Sequence, residues 1–302
     1  MASVLEEISV AVAGVAGAVA PSVVGVGAGG SGVVLGAGRV VTNAHNVRGG
    51  AVVVTFADGR RAEGQAVGVD PDGDLAVLAV DTGEAPVLAF SAAAPRLGQL
   101  VVALAHPGGR GVRVGVGHVS ALEVDFRGPG GRSVRGAVEH TAPLARGSSG
   151  GPLVDVEGRL LGIDTHRVGD GFYLAVPADA ALAARLEALG RGEAPRRPRL
   201  GIALAPVQVA RRLRRSVGLP ERDGLLVRAV EESGPAGRAG IRQGDLIVSV
   251  AGTAVASVDE LADALEATGS GVGVEVRVVR GAEELTVAVA LDAPGAAHEG
   301  SA

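Results

Sequence analysis

Between residues 22 and 177 the chain alternates short valine-rich runs with turns of Gly, Pro and Asp. Runs fall at 51–56, 76–80, 100–105, 112–119 and 160–163. β-Branched residues suit a pleated, half-buried surface, so many short runs at regular spacing predict an all-β barrel or sandwich. Aromatic residues are only 2% of the chain, so the cores must be built from Val, Leu, Ile and Ala. At 302 residues, with 47% hydrophobic residues, 20% charged residues and 49 glycines, the chain reads as globular, turn-rich and long enough for two domains.

Other classes are argued against by what is missing. There is no cysteine, hence neither a disulfide framework nor a thiolate metal site. The six histidines lack metal-ligand spacing, so no metal and no cofactor is expected. Every basic residue is arginine, and the net charge of -5 gives no reason to expect nucleic acid as a partner. Gly25, Gly27 and Gly30 spell a G-x-G-x-x-G after a strand, but a dinucleotide site needs a helix next. The residues after Gly30 are instead β-branched and glycine-broken, a hairpin.

Chemistry is suggested by residues 147–153, Gly-Ser-Ser-Gly-Gly-Pro-Leu. Glycines let several N–H groups converge, and a serine beside them is a nucleophile next to an oxyanion hole. Taken alone the stretch is equally a plain Gly/Ser turn. Serine needs a base and an orienting carboxylate. His45, in Thr42-Asn43-Ala44-His45, stands where a β-branched run ends in small polar residues. Asp74, before Leu75-Ala76-Val77-Leu78, stands where a polar turn enters an apolar strand. The order His45, Asp74, Ser149 forms a candidate triad.

At these three stretches the sequence resembles the HtrA/Deg family of trypsin-like serine proteases, over roughly residues 5–292. The resemblance implies a mainly β fold, a chymotrypsin-like double β-barrel with the triad in the cleft, and an α+β PDZ domain after it. It implies His45 as base then acid, Asp74 as the residue fixing its tautomer, and Ser149 as nucleophile. The N–H groups of Gly147 and Ser149, helped by Ser148, would line the oxyanion hole. The specificity pocket would involve Pro143, six residues before the nucleophile, and Arg146. With Pro143 there, nothing acidic would await a Lys or Arg side chain, so cleavage after small or medium apolar residues is expected. His140, Thr141, Ala145, Arg146 and Ser148 depart from the family pattern and leave the pocket and loop ordering as the variable part.

The flanks organise around this domain. Residues 8–38 carry no charge, but the run is Ala/Gly-rich and Pro21 interrupts it, so a packed N-terminal helix over 1–21 is expected instead of a membrane span. The protease domain is placed at 22–190, closing with a helix that bears Leu182, Leu186 and Leu189 on one face. The stretch 191–199, polar and broken by proline, reads as a linker. Residues 234–247 resemble a PDZ domain of the HtrA type, placed at 200–292. Its peptide groove would use Leu200, Gly201, Ile202, Val258, Leu261 and Leu265, with an extended peptide adding to the sheet edge. Ser257 and Glu260 form a capping box for the helix there. Eight arginines between 191 and 215 read as a solvated face or as a basic rim attracting carboxylates. Residues 293–302 read as a disordered tail.

The expected function is therefore a serine endopeptidase acting on unfolded or C-terminally exposed polypeptides. A non-cleaving chaperone and a PDZ scaffold are the alternatives. The family's trimer-forming aromatics are missing, leaving homo-oligomerisation open. The family mostly works outside the cytoplasm, whereas no export signal is legible, so compartment is left open as well.

Overall fold

A computed structural model describes residues 3–47, 49–71, 73–127, 133–169, 171–193, 198–205, 209, 222–269 and 271–292. The chain divides into two compact units, 1–195 and 196–302. The expected tail at 293–302, and most of the arginine-rich stretch, lie outside the described residues.

Helix α1 (Val4–Val19) starts at Ser3, whose side chain accepts a hydrogen bond from the Glu6 N–H. Pro21 does not break the apolar run; it sits in the 3-10 turn Ala20–Ser22 that ends it, a first-turn position where its missing N–H costs nothing. The expectation of a packed helix needs correction. Only Val15 and Val19 are buried, while Val4, Leu5, Ile8 and Val10 are exposed. Over Val4–Ser22 the segment is long and apolar enough to cross a membrane, judged by length and composition.

Twelve strands among the described residues make the body of the first unit. β1 (Val23–Val26), β2 (Gly30–Gly36), β3 (Arg39–Thr42), β4 (Ala51–Thr55), β5 (Arg61–Asp70) and β6 (Leu75–Ala79) close a barrel in the order β1-β2-β3-β6-β5-β4. β7 (Leu100–Ala105), β8 (Arg113–Arg127), β9 (Ser133–His140), β10 (Pro152–Val154), β11 (Leu160–Val168) and β12 (Phe172–Pro177) close a second, ordered β10-β11-β12-β9-β8-β7. Closure removes every unpaired sheet edge. β8 runs past the expected 112–119 because irregular register near Ala121 and Val124, with Glu123 at φ +55°, lets a bent strand stay paired with β9.

Valine-rich runs replace a polar/apolar alternation because these strands bury both faces. Val24, Val34, Val40 and Leu78 fill the first barrel. Their neighbours Val23, Val33, Val41 and Val77 join Leu104, Val154 and Ile163 in a layer shared by the two barrels. The same layer takes Leu182, Leu186 and Leu189 of helix α2 (Ala180–Gly190), which Asp179 caps through the Leu182 N–H at 2.8 Å. Each such side chain contributes about 1.5–3 kcal/mol when taken out of water.

The second unit is a six-stranded sheet, β13 (Ile202–Leu204), β14 (Leu225–Val230), β15 (Leu246–Val250), β16 (Thr253–Ala254), β17 (Gly273–Arg280) and β18 (Glu283–Ala290), with β13 at one edge. A short helix α3 (Pro235–Arg238) and helix α4 (Val258–Thr268) pack on it. The capping box forms as expected: the Glu260 N–H donates to Ser257 Oγ and the Ser257 N–H to Glu260 Oε2, both at 3.1 Å.

Candidate active site

Strand register brings the first two candidates together. Thr42 of β3 faces Ala76 of β6, so the chain leaving β3 and the chain entering β6 emerge side by side. His45 lies in the 3-10 turn Ala44–Asn46. Asp74 is held at φ +52°, a conformation few non-glycine residues adopt. Asn43 Nδ2 fixes it by donating to the Asp74 carbonyl at 2.7 Å. Asp70, buried at the start of the same turn, accepts from the Gly73 N–H and pairs with Arg185 of α2.

His45 Nδ1 lies 2.8 and 2.9 Å from the two carboxylate oxygens of Asp74, and the His45 N–H donates to Oδ1 at 3.2 Å. A proton held on Nδ1 this way leaves Nε2 as an acceptor. Asp74 is 2% exposed and His45 34%, so the ring presents one face to solvent. The Thr165 hydroxyl donates to Asp74 Oδ2 at 2.8 Å.

Ser149 sits between β9 and β10, in a loop that two glycines make possible. A Cβ on Gly147, at φ +86°, would lie 1.9 Å from the Gly29 carbonyl oxygen; one on Gly150, at φ +92°, 2.2 Å from that of Ser31. The first barrel clamps this loop. Ser31 Oγ donates to the Gly147 carbonyl at 2.7 Å, and the Ser31 N–H and Asn46 Nδ2 donate to that of Ser149 at 3.1 and 2.9 Å. Ser149 Oγ donates to the Thr165 carbonyl at 2.9 Å, so hydrogen bonds link His45, Asp74, Thr165 and Ser149 in series.

The Gly147 and Ser149 N–H groups have no protein acceptor among the described residues. Ser148 does not join them, contrary to expectation. Its N–H closes a turn onto the Ala145 carbonyl at 3.2 Å, and its hydroxyl is buried.

Beside Ser149 is a cavity of about 160 Å³ lined by residues 144–149, 164–167 and Tyr173. Arg146 is part of that lining; Pro143 is not. Past β9 the chain runs along β8, with the Thr141 N–H on the His118 carbonyl and Pro143 against Gly115, which leaves Pro143 exposed. Asp164, 1% exposed, lines the cavity and pairs with His140 Nε2 at 3.0 Å. Burial pushes the Asp164 carboxyl above its ordinary range, and His140 opposes this. His106, 3% exposed, is lowered by burial against backbone hydrogen bonds to Val23 and Gly109, as suits a structural ring.

Ser31, Asn43, Asn46, Asp164 and Thr165 were not singled out from sequence. Their only signal is a polar side chain set inside or beside an apolar strand. In the second unit Leu200, Leu261 and Leu265 are buried in the core instead of open to a groove. Gly201, at φ +71°, and Ile202 remain at the edge strand, and Val258 is exposed on α4. Among the described residues no three Asp, Glu or His side chains cluster as metal ligands.

Comparison with known proteins agrees with these two units. The trypsin-like peptidase domain family matches residues 30–163 and the PDZ domain family residues 198–291. The chain is 31% identical to a probable periplasmic serine endoprotease DegP-like of Halomonas elongata, over 83% of this chain and 53% of that one. It is 33% identical to the putative serine protease HhoA of Synechocystis, over 83% and 67%. The chain thus spans about half to two thirds of the length of these curated relatives. Among solved structures it resembles the HtrA-type protease AlgW with decapeptide, at a TM-score of 0.67 and 25% identity over 93% of this chain and 98% of that one. It resembles the serine endoprotease from Yersinia pestis at 0.66 and 28%, over 92% and 96%.

Proposed function

Since the chain belongs to the HtrA/Deg family of trypsin-like serine proteases with a PDZ domain, we propose that it is a serine endopeptidase that cuts unfolded or damaged polypeptides. The observation that carries this reading is the His45–Asp74 pair, with Nδ1 2.8 Å from the carboxylate, together with the Gly147 and Ser149 N–H groups that have no acceptor among the described residues. Ser149 Oγ turns from Thr165 to His45 Nε2, passes it the proton and bonds to the substrate carbonyl carbon. The resulting oxyanion is held by the Gly147 and Ser149 N–H groups. His45 returns the proton to the leaving amine, and water, deprotonated by His45, releases the acid from the acyl-enzyme. Asp74 stabilises the imidazolium without taking its proton.

In the PDZ unit, the position of β13 at the end of the strand order, beside Gly201 and Ile202, suits addition of an extended peptide with an exposed C-terminus, main chain to main chain. The relatives named as periplasmic, together with the apolar helix Val4–Ser22, support work outside the cytoplasm. Degradation of casein by the full chain, beside Ser149→Ala, tests the reading: only the wild type is expected to cut.

One observation favours a second reading, a chaperone or scaffold that binds without cutting. The Ser149 hydroxyl is engaged by Thr165 and not by His45. If casein is protected from aggregation but left intact, even with a peptide on the PDZ unit, this second reading replaces the first.

A further inference from the structure

A second hollow in the first unit, of about 640 Å³, shares no residue with the cavity beside Ser149. That volume lies within the range of pockets that hold ligands. Its apolar lining is open to solvent: Ala92, Ala93, Ala94 and Leu122 are exposed, and Phe90 and Pro95 half-buried. A smaller hollow of about 130 Å³ shares Phe90 and Ala183 with it, so the apolar surface continues along α2 as a groove. An elongated occupant fits that outline better than a compact one.

Charge decides which elongated occupant. Arg39 and Glu187 line the smaller hollow and balance each other. Two exposed carboxylates line the larger one, Glu123 and Asp179, and no described arginine does. Asp179 caps α2 through the Leu182 N–H, and the positive end of that helix offsets part of its charge. Glu123 is the stronger point, with neither an ion pair nor a hydrogen bond among the described residues. Its placement is costly. Between Ala121, opposite Glu139, and Val124, opposite Ala137, β8 spends two residues against one on β9, and Glu123 takes φ +55°. Such a bulge re-aims a side chain. The carboxylate lies over the bare backbone of Gly136, where a Cβ would come within 3.3 Å of Oε2. Glycine at position 123 would take the same backbone without strain. Glutamate there supplies a charge that nothing in the described fold uses.

We propose that this groove is a second binding site for polypeptide, taking an extended stretch in which a Lys or Arg stands beside apolar residues. The cation meets Glu123, and its apolar neighbours cover Phe90 and the exposed alanines. An acidic stretch is repelled, and an uncharged one leaves Glu123 unmatched. The inference goes beyond the peptidase reading and does not depend on it, since binding needs no cut.

The test measures Kd on full-length Ser149→Ala, which cannot form the acyl-enzyme, for an amidated peptide repeating Arg-Leu-Ala and a twin repeating Glu-Leu-Ala. Amidation withholds the terminal carboxylate from the PDZ unit. The Arg peptide is expected to bind at least about tenfold more tightly, with added salt narrowing the gap. In the same background Glu123→Arg should weaken the Arg peptide about tenfold, by exchanging attraction for repulsion. Ala180→Trp, at the exposed first position of α2, should weaken it by filling the hollow. Glu123→Gly separates a ligand role from a structural one: it should raise Tm by relieving the backbone, yet weaken the Arg peptide about threefold. An Arg peptide that binds no better than its Glu twin overturns the inference, as does one whose Kd neither Glu123→Arg nor Ala180→Trp moves. A wild type that hydrolyses nothing, beside a Ser149→Ala protein that shows these shifts, sinks the peptidase reading and leaves the groove assigned.

Discussion

Ser149 donates its hydroxyl to the carbonyl oxygen of Thr165 at 2.9 Å, and the hydroxyl of the same threonine donates to Asp74 at 2.8 Å. Thr165 thus touches both the serine and the carboxylate that orients His45, through its main chain for one and its side chain for the other. Four contributions to activity and stability can be checked against that arrangement and its surroundings, and a fifth within the second unit.

Thr165→Val keeps the carbonyl and the shape but deletes the hydroxyl. A hydrogen bond to a charged group contributes about 1.5–3 kcal/mol, so kcat should fall about 10- to 100-fold. Thr165→Ser should restore most of it, which a purely packing role would not allow. Peptide hydrolysis rates for the three proteins decide this.

His45→Ala should lower kcat by about 10⁶-fold and Asp74→Asn by about 10⁴-fold, with KM little changed. A residual rate near wild type in either variant would remove that residue from the proposed triad.

Gly147→Ala places a methyl carbon 1.9 Å from the Gly29 carbonyl oxygen. The loop must move, so peptide hydrolysis should fall at least about 100-fold, as when an oxyanion donor is lost. Circular dichroism should show the barrels still folded.

His140→Leu leaves Asp164 buried and alone, a change that costs about 3–5 kcal/mol for a charged partner. The Asp164 carboxyl is already raised above its unfolded value of about 3.9, so the folded chain holds the proton more tightly. Stability therefore falls as pH rises through the carboxylate range, and the variant should steepen that fall. Melting temperatures at about pH 5 and about pH 8 should differ more in the variant than in the wild type.

Asp245→Asn should destabilise the second unit by about 2 kcal/mol at neutral pH. Burial pushes Asp245 up, but hydrogen bonds from Arg280 and the Arg242 N–H hold it below its ordinary value. That contribution is present above the unfolded value and lost as pH falls through the lowered one, so wild type and variant should converge in acid.

The valine-rich runs announce strands, and the turns between them announce many short ones; closure into two barrels came from the family resemblance. The candidates His45, Asp74 and Ser149 could be picked out in the sequence because each sits where an apolar run meets small polar residues. The pocket could not. Counting back to Pro143 assumes one path for the loop, whereas the chain follows β8 and leaves Pro143 exposed. Asp164 and Thr165 were missed because residues brought to the site by strand pairing carry no local signal. The Gly150 N–H on the Asp164 carbonyl, at 2.7 Å, is a contact 14 positions apart that only the fold creates. Helix α1 was predicted in place but misjudged in burial, since an Ala/Gly-rich run packs only where something lies against it.

Ser31 gives its hydroxyl to the Gly147 carbonyl, accepts the His106 N–H on the same oxygen, and receives Thr42 on its carbonyl. A β2 residue of one barrel is therefore a fastener for the Ser149 loop on the other. The two barrels are not interchangeable halves around a seam: the loop bearing Ser149 belongs to one and takes its shape from the other.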